Sequence, residues 1–308
     1  MIEARRLTKR YGPTLAVDDL SFDVQPGRVT GFLGPNGAGK TTTMRLVLGL
    51  DHPSGGWVTV GGRAYRQFEF PLTEVGALLD AKAVHGGRRA RDHLWCIAQS
   101  NRIPRRRVDE VLDRVGLTDV AGRRIGTFSL GMSQRVGIAA ALLGDPAVLM
   151  FDEPVNGLDP EGVLWIRNLL RALADEGRTV FVSSHLMSEM SLTADHLIVI
   201  GKGRLVADES IRDLLGRGRS TVRVRTPNPD RLGALVTEEG GYMQREPGGA
   251  LSVSHLDAAA IGELAARHGV VLHELTPETA SLEEAYFELT NEAVEFHGDV
   301  AAAGSGSA

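Results

Sequence analysis

The stretch GPNGAGKTT, residues 34–42, constrains the fold of this chain more than any other. It carries Gly34, Gly39, Lys40 and Thr41 at the spacing of a phosphate loop. An apolar run, RVTGFL (28–33), precedes it and a helical run, KTTTMRLVLGL, grows out of it. A glycine-rich turn at that junction lets backbone N–H groups close around phosphate oxygens, and the helix adds its positive end. Lys40 reaches the β- and γ-phosphates from there, and the Thr41 hydroxyl is placed as one ligand of Mg²⁺. The candidate nucleotide-binding residues are therefore Gly34, Pro35, Asn36, Gly37, Ala38, Gly39, Lys40, Thr41 and Thr42. A strand, loop and helix of this kind belong to an α/β domain with a largely parallel sheet.

AVLMFDEP sets five apolar residues directly before Asp152 and Glu153. Such a run reads as a strand buried inside a parallel sheet, and open α/β sheets place ligands at the carboxyl ends of their strands. Asp152 is then the candidate to hold Mg²⁺ through water. Glu153 is the candidate to orient or deprotonate the water that attacks the γ-phosphate. A second anion-holding pattern lies at FSLGMSQR, residues 128–135: Ser129 caps a helix and Gly131 leaves backbone N–H groups uncovered. Within one chain that already has a phosphate loop, it looks redundant.

The chain has 308 residues, 43% hydrophobic and 24% charged, the mix of a globular protein with a real core. A formal net charge of −5 gives no reason to expect a nucleic-acid partner. The single cysteine, Cys96, excludes an intramolecular disulfide and an all-cysteine metal site, and within DHLWCIAQ it reads as a small core residue. No apolar run approaches the roughly 18–20 residues that span a bilayer, and MIEARRLTKRYG lacks the apolar centre of a signal peptide. Any work at a membrane is therefore expected of a peripheral subunit.

Residues 1–200 alternate apolar and helical runs, with AVLMF (147–151), TVFVSS (179–184) and LIVI (197–200) joining RVTGFL as predicted strands. Residues 88–120 are helical and rich in arginine, a run that reads as a solvated face or a docking patch. After GKGRLVADESIRDLLG the character changes. Strand-like TVRVR (221–225), helical NPDRLGALVTEEG, YMQRE, a Pro-Gly-Gly turn, ALSVS, helical DAAAIGELAARHG and strand-like VVLHEL follow. That β-α-β-β-α-β order is the ferredoxin-like split pattern. A last helix, SLEEAYFELT, and a flexible tail ending AAAGSGSA complete the reading. The predicted divisions are a nucleotide-binding domain at 1–216 with a helical part at about 82–140, an α+β accessory domain at 217–290, and a tail at 291–308.

Taken together, these motifs resemble the ATP-binding subunits of ABC transporters over about residues 1–210. GPNGAGKTT is similar to the family's Walker A, FSLGMSQR to its signature, AVLMFDEP to its Walker B, and NGLDP (156–160), with Asp159, to its D-loop. His185 in VSSHLMSEM stands at the switch-histidine position, and Tyr11 in KRYGPTLAVDDLSF matches the aromatic residue that stacks on adenine. Two positions depart from the pattern. Leu130 and Met132 replace a glycine and a glutamine of the signature, while Ser129 and Gly131 are kept. Asp80, in VGALLDAKAV, stands where the family has a glutamine that touches Mg²⁺ or water.

The resemblance implies an α/β P-loop fold of the ABC type with a helical subdomain, and an ATPase with Mg²⁺ as cofactor. It implies a head-to-tail homodimer in which Ser129, Gly131 and Met132 complete the site of the other chain. It also implies a separately encoded membrane permease, with the chain at the cytoplasmic face of the membrane. The altered signature is similar to those of drug- and antibiotic-exporter subunits of the daunorubicin and bacitracin type, so export of a small molecule is the expected work. An importer ATPase, or a soluble non-transport ABC ATPase, stays open as the alternative. The two-domain translation type is disfavoured by a single Walker A, and the repair type by the short, glycine-broken stretch 45–128.

Overall fold

The computed structural model describes residues 1–80, 83–217, 221–246 and 248–278. The predicted helix SLEEAYFELT and the tail from Asn291 lie outside the described residues. Two compact units part between Ser210 and Ile211.

The first unit opens with β1 (Ile2–Tyr11), β2 (Thr14–Val24) and β3 (Arg28–Leu33), then α1 (Lys40–Val47), β4 (Gly55–Val60) and β5 (Val75–Leu78). The helical part follows as α2 (Ala90–Ser100), α3 (Arg106–Arg114) and α4 (Leu130–Leu142). It closes with β6 (Val148–Asp152), α5 (Pro160–Asp175), β7 (Thr179–Ser184), α6 (Met187–Thr193), β8 (His196–Gly201) and β9 (Arg204–Ser210). A six-stranded sheet runs in the order β5-β6-β7-β3-β8-β9, parallel except for β9. The predicted strands at 28–33 and 179–184 match residue for residue, and pair in register from Arg28↔Thr179 to Leu33↔Ser184. Their side chains are almost wholly buried, as strands covered on both faces must be.

A three-stranded antiparallel sheet, β2-β1-β4, was not read from the sequence. Its strands put Ile2, Leu7, Phe22 and Val60 into one core with Phe32, Met150, Phe181 and Ile198 of the parallel sheet and Met44 of α1. Phe22, Phe32 and Phe181 hold ring centroids 5.0–5.8 Å apart, within the range of favourable aromatic pairs. On the other face α5 packs against β3 and β7, burying Ile166, Leu169, Leu170 and Leu173. Asp159 starts that helix by accepting the Gly162 N–H at 2.9 Å, and Pro160 fills the first helical position.

Helix α2 corrects one expectation. Its inward residues are Ala90, Leu94 and Ala98, spaced by four, so Cys96 falls on the outer side and is exposed. The arginines at 88–91 and 123–124 are also exposed, and a bridge between Arg89 and Arg124 draws the two segments together.

The second unit comprises α7 (Ile211–Arg217), β10 (Thr221–Arg225), α8 (Pro229–Glu238), β11 (Tyr242–Arg245), β12 (Leu251–Ser254), α9 (Ala258–Arg267) and β13 (Glu274–Glu278). The sheet order β11-β12-β10-β13, antiparallel throughout, is that of the ferredoxin-like split pattern. Val222, Val224, Leu251 and Val253 pack against Leu232, Val236, Ile261 and Leu264 of the two helices. The last strand differs from the expected VVLHEL: it begins at Glu274. Glu274 and Glu278 pair across to Arg225 and Arg223 at 2.9 and 3.4 Å, whereas Val270 is drawn into the core instead. Pro277 is tolerated because β13 is an edge strand.

Candidate nucleotide site

The loop between β3 and α1 is shaped by Gly39, which caps the helix at φ 106°. A Cβ there would lie 2.5 Å from the Ala16 carbonyl oxygen, so only glycine fits. With no cap side chain to accept from them, the first-turn N–H groups of α1 stay open to an anion.

Lys40 is only 6% exposed, and its ammonium is held by protein acceptors. Nζ donates to the Gly34 carbonyl at 2.6 Å and lies 3.5 Å from Glu153 Oε1. Burying a charge is costly unless it is paired in this way. The Thr41 hydroxyl donates to Asp152 Oδ2 at 2.6 Å, tying the start of α1 to the end of β6.

Glu153 follows Asp152 at φ 49°, a left-handed conformation that costs a residue with a side chain about 1 kcal/mol or more. The turn aims its carboxylate at two partners at once: the Lys40 ammonium, 3.5 Å from Oε1, and the His185 ring, whose Nδ1 lies 2.8 Å from Oε2. Ser183, fully buried on β7, holds this corner. Its hydroxyl donates to Asp152 Oδ1 and accepts the Glu153 N–H at 3.0 Å. Ser183 was missed in the sequence, where TVFVSS ends in two serines and nothing marks which of them meets Asp152. Asp80 lines the same cleft as Asp152 and Glu153, with Leu130, Gln134, Asn156 and Gly157 on its other walls.

Tyr11 stands at the end of β1 and is 43% exposed. Its hydroxyl donates to Asp51 Oδ2 at 2.8 Å, and Arg45 from α1 clamps the same carboxylate at 2.7 Å. Desolvation, and then the hydrogen bond to Asp51, push the Tyr11 phenol above its ordinary range, so it stays a neutral donor. The Arg45 and Tyr11 hydrogen bonds hold the Asp51 carboxyl below the usual carboxylate range. Lys9 Nζ lies 4.8 Å from the centre of the Tyr11 ring.

Ser129, Gly131, Met132 and Asp159 gather in a separate cleft with Leu158, Arg135 and Trp165. Ser129 caps α4 by accepting the Met132 N–H at 3.2 Å, which leaves its own hydroxyl proton free to donate. Arg135 lies 4.2 Å from the Trp165 ring centre and donates to the Val115 carbonyl at 3.0 Å. Among the described residues no hydrogen bond joins Ser129, Gly131 or Met132 to residues 34–42 of the same chain. The predicted site residues thus fall into two groups, one around the phosphate loop and one around the caps of α4 and α5.

Comparison with known proteins identifies the family. A family model described as ABC transporter matches residues 17–156, and one for a domain of unknown function (DUF8746) matches residues 220–283. The chain is 35% identical to an uncharacterized ABC transporter ATP-binding protein, YhcH of Bacillus subtilis (strain 168), over 96% of this chain and 97% of that one. It is 34% identical to the bacitracin transport ATP-binding protein BcrA of Bacillus licheniformis, over 94% of this chain and 97% of the relative. A solved dimeric bacterial ABC transporter cassette shares the fold, with a TM-score of 0.64 at 24% identity over 69% of this chain and 99% of that one. With likeness on that scale along almost its whole length, the chain belongs to the family of ABC transporter ATP-binding proteins.

Proposed function

We propose that this ABC ATPase hydrolyses ATP as a head-to-tail homodimer and thereby drives export of a small molecule through a separately encoded membrane permease. The observation that carries the hydrolytic reading is the Glu153 carboxylate, set between Lys40 at 3.5 Å and His185 at 2.8 Å. In this arrangement the loop 34–42 and Lys40 cradle the phosphates while Tyr11 offers its ring to adenine. Glu153, held in place by His185, orients the attacking water and takes its proton as the bond to the γ-phosphorus forms and the bond to the ADP oxygen breaks. Lys40 gives up its pairing with Glu153 to the γ-phosphate, which frees that carboxylate to act as a base.

The donor set near Thr41 fits Mg²⁺: a hydroxyl and a carboxylate, hard oxygens 2.6 Å apart, with Asp80 lining the same cleft. Thr41 and Asp152 would hold the ion, Asp80 beside them, and when bound it neutralises charge on the β- and γ-phosphate oxygens. Ser129, Gly131, Met132 and Asp159 serve the ATP of the partner chain, which explains why their cleft is separate from the chain's own phosphate loop.

Transport through a separate protein is supported by the described helices, none of which is long and apolar enough to cross a membrane. Export is supported by the relative named for bacitracin transport. The working position is the cytoplasmic face of the membrane, peripheral to the permease, with no nucleic-acid partner. Glu153→Gln tests the chemistry: nucleotide binding is retained and turnover falls about 100-fold or more, the usual contribution of a general base. Wild-type turnover in that variant would remove Glu153 from its role. Reconstitution with the permease tests direction, because uptake of cargo in place of efflux would favour the importer.

A further inference from the structure

Signature and D-loop segments meet inside each chain through two reciprocal contacts. A Cβ built on Gly157 would lie 2.5 Å from Leu130 Cδ2, so the end of the Leu130 side chain sits directly over the bare Cα of that glycine. One residue further along each segment the roles exchange: a Cβ on Gly131 would lie 3.4 Å from Leu158 Cδ2. Each segment thus offers a leucine to the other's glycine. Gly157 also holds φ 71°, a left-handed conformation that favours glycine.

The two interlocked pairs lie beside the two helix caps. Ser129 precedes Leu130 and starts α4; Asp159 follows Leu158 and starts α5. Both caps line one cleft, whereas Leu130 borders the cleft of Asp80, Asp152 and Glu153. Leu130 is 39% exposed, outside the buried core, and the end of its side chain packs on Gly157.

We propose that Leu130 is a positioning residue that, by packing on Gly157, locks the cap of α4 to the cap of α5. Ser129, Gly131 and Asp159 then present themselves to the partner chain's nucleotide as one rigid surface. This rests on the head-to-tail reading above. Leu130 does not touch the nucleotide; it sets the spacing between groups that do. Displacements of the order of 1 Å in such groups cost up to about 100-fold in rate.

Leu130→Gly empties the contact. Its kcat is expected to fall at least about tenfold while ATP affinity of the dilute, unpaired chain stays within about twofold, because the chain's own phosphate loop is intact. Gly157→Ala forces a methyl group against Leu130 and is also expected to lose kcat. Shortening the leucine makes room, so Leu130→Ala/Gly157→Ala should turn over faster than Gly157→Ala alone. Backbone strain at residue 157 is the same in those two variants and cancels. A double variant no better than Gly157→Ala, or Leu130→Gly at wild-type kcat, overturns the positioning role.

Mixing Leu130→Gly chains with Lys40→Ala chains places the role between subunits. The working site of a mixed dimer takes its phosphate loop from the first chain and an intact Leu130 from the second, so turnover should rise above either variant alone. Ser129→Arg mixed with Lys40→Ala is the control. A silent control overturns the head-to-tail arrangement and the Leu130 role with it. A recovering control beside a silent Leu130→Gly mixture overturns the Leu130 role alone.

Discussion

At the scale of single residues, the site is held by groups the motifs do not mention. Ser183 makes two hydrogen bonds in a fully buried position, so Ser183→Ala leaves Asp152 Oδ1 without its donor and the Glu153 N–H without its acceptor. Unsatisfied buried groups cost about 1–3 kcal/mol, and that loss should appear as a lower thermal midpoint together with reduced turnover. Tyr11 is braced by the Asp51–Arg45 pair rather than by packing. On the stacking reading, Tyr11→Phe keeps ATP affinity while Tyr11→Ala weakens it by about 1–3 kcal/mol, measured by nucleotide titration. Equal affinities in the two variants would remove the ring from the site. The phosphate loop and the two acids were legible in the sequence because backbone wrapping and charge placement demand fixed residue types at fixed spacing. Ser183 was not, since a serine is interchangeable with many residues until its two partners are known.

At the scale of elements, a chain of ion pairs ties the helical part to the sheet. Arg114 of α3 donates to Glu176 at 2.6 Å, Arg178 bonds Glu176 and Asp145 at 2.8 Å each, and Arg107 of α3 lies 3.6 Å from Asp145. The hydrogen bond from Arg178 is the main reason the Asp145 carboxyl stays below its usual range. A depressed carboxyl pKa contributes stability above its unfolded value, which is lost as pH falls through the folded one. Thermal midpoints should therefore drop below about pH 4, and Asp145→Asn should flatten that part of the curve. The pair is partly exposed, so the effect stays under about 1 kcal/mol. An Asp145→Asn curve parallel to that of the wild type would contradict it.

Elements also differ in how far the sequence revealed them. β3 and β7 were plain because strands buried on both faces are continuously apolar. β1, β2 and β4 were hidden by charged outward faces and by bulges between Ala4 and Leu7 and between Arg5 and Thr8, which break the period-two alternation. β13 starts late because its pairing is set by charges on β10 rather than by the apolar run before it.

At the scale of the whole molecule, the central claim is that one chain holds two halves of different sites. The resemblance to ABC ATPases implies this, a second anion site in one chain suggested it, and the separation of the Ser129 cleft from residues 34–42 supports it. Removal of divalent cations should abolish turnover while nucleotide exchange onto the loop persists, because Lys40 and the open N–H groups need no metal. The most direct measurement mixes two inactive variants. Ser129→Arg keeps a working phosphate loop, and Lys40→Ala keeps a working Ser129 segment. Equimolar mixing should restore ATP hydrolysis well above the sum of the two alone, since each mixed dimer holds one complete site. A mixture that stays inactive while both variants fold and pair would contradict the account.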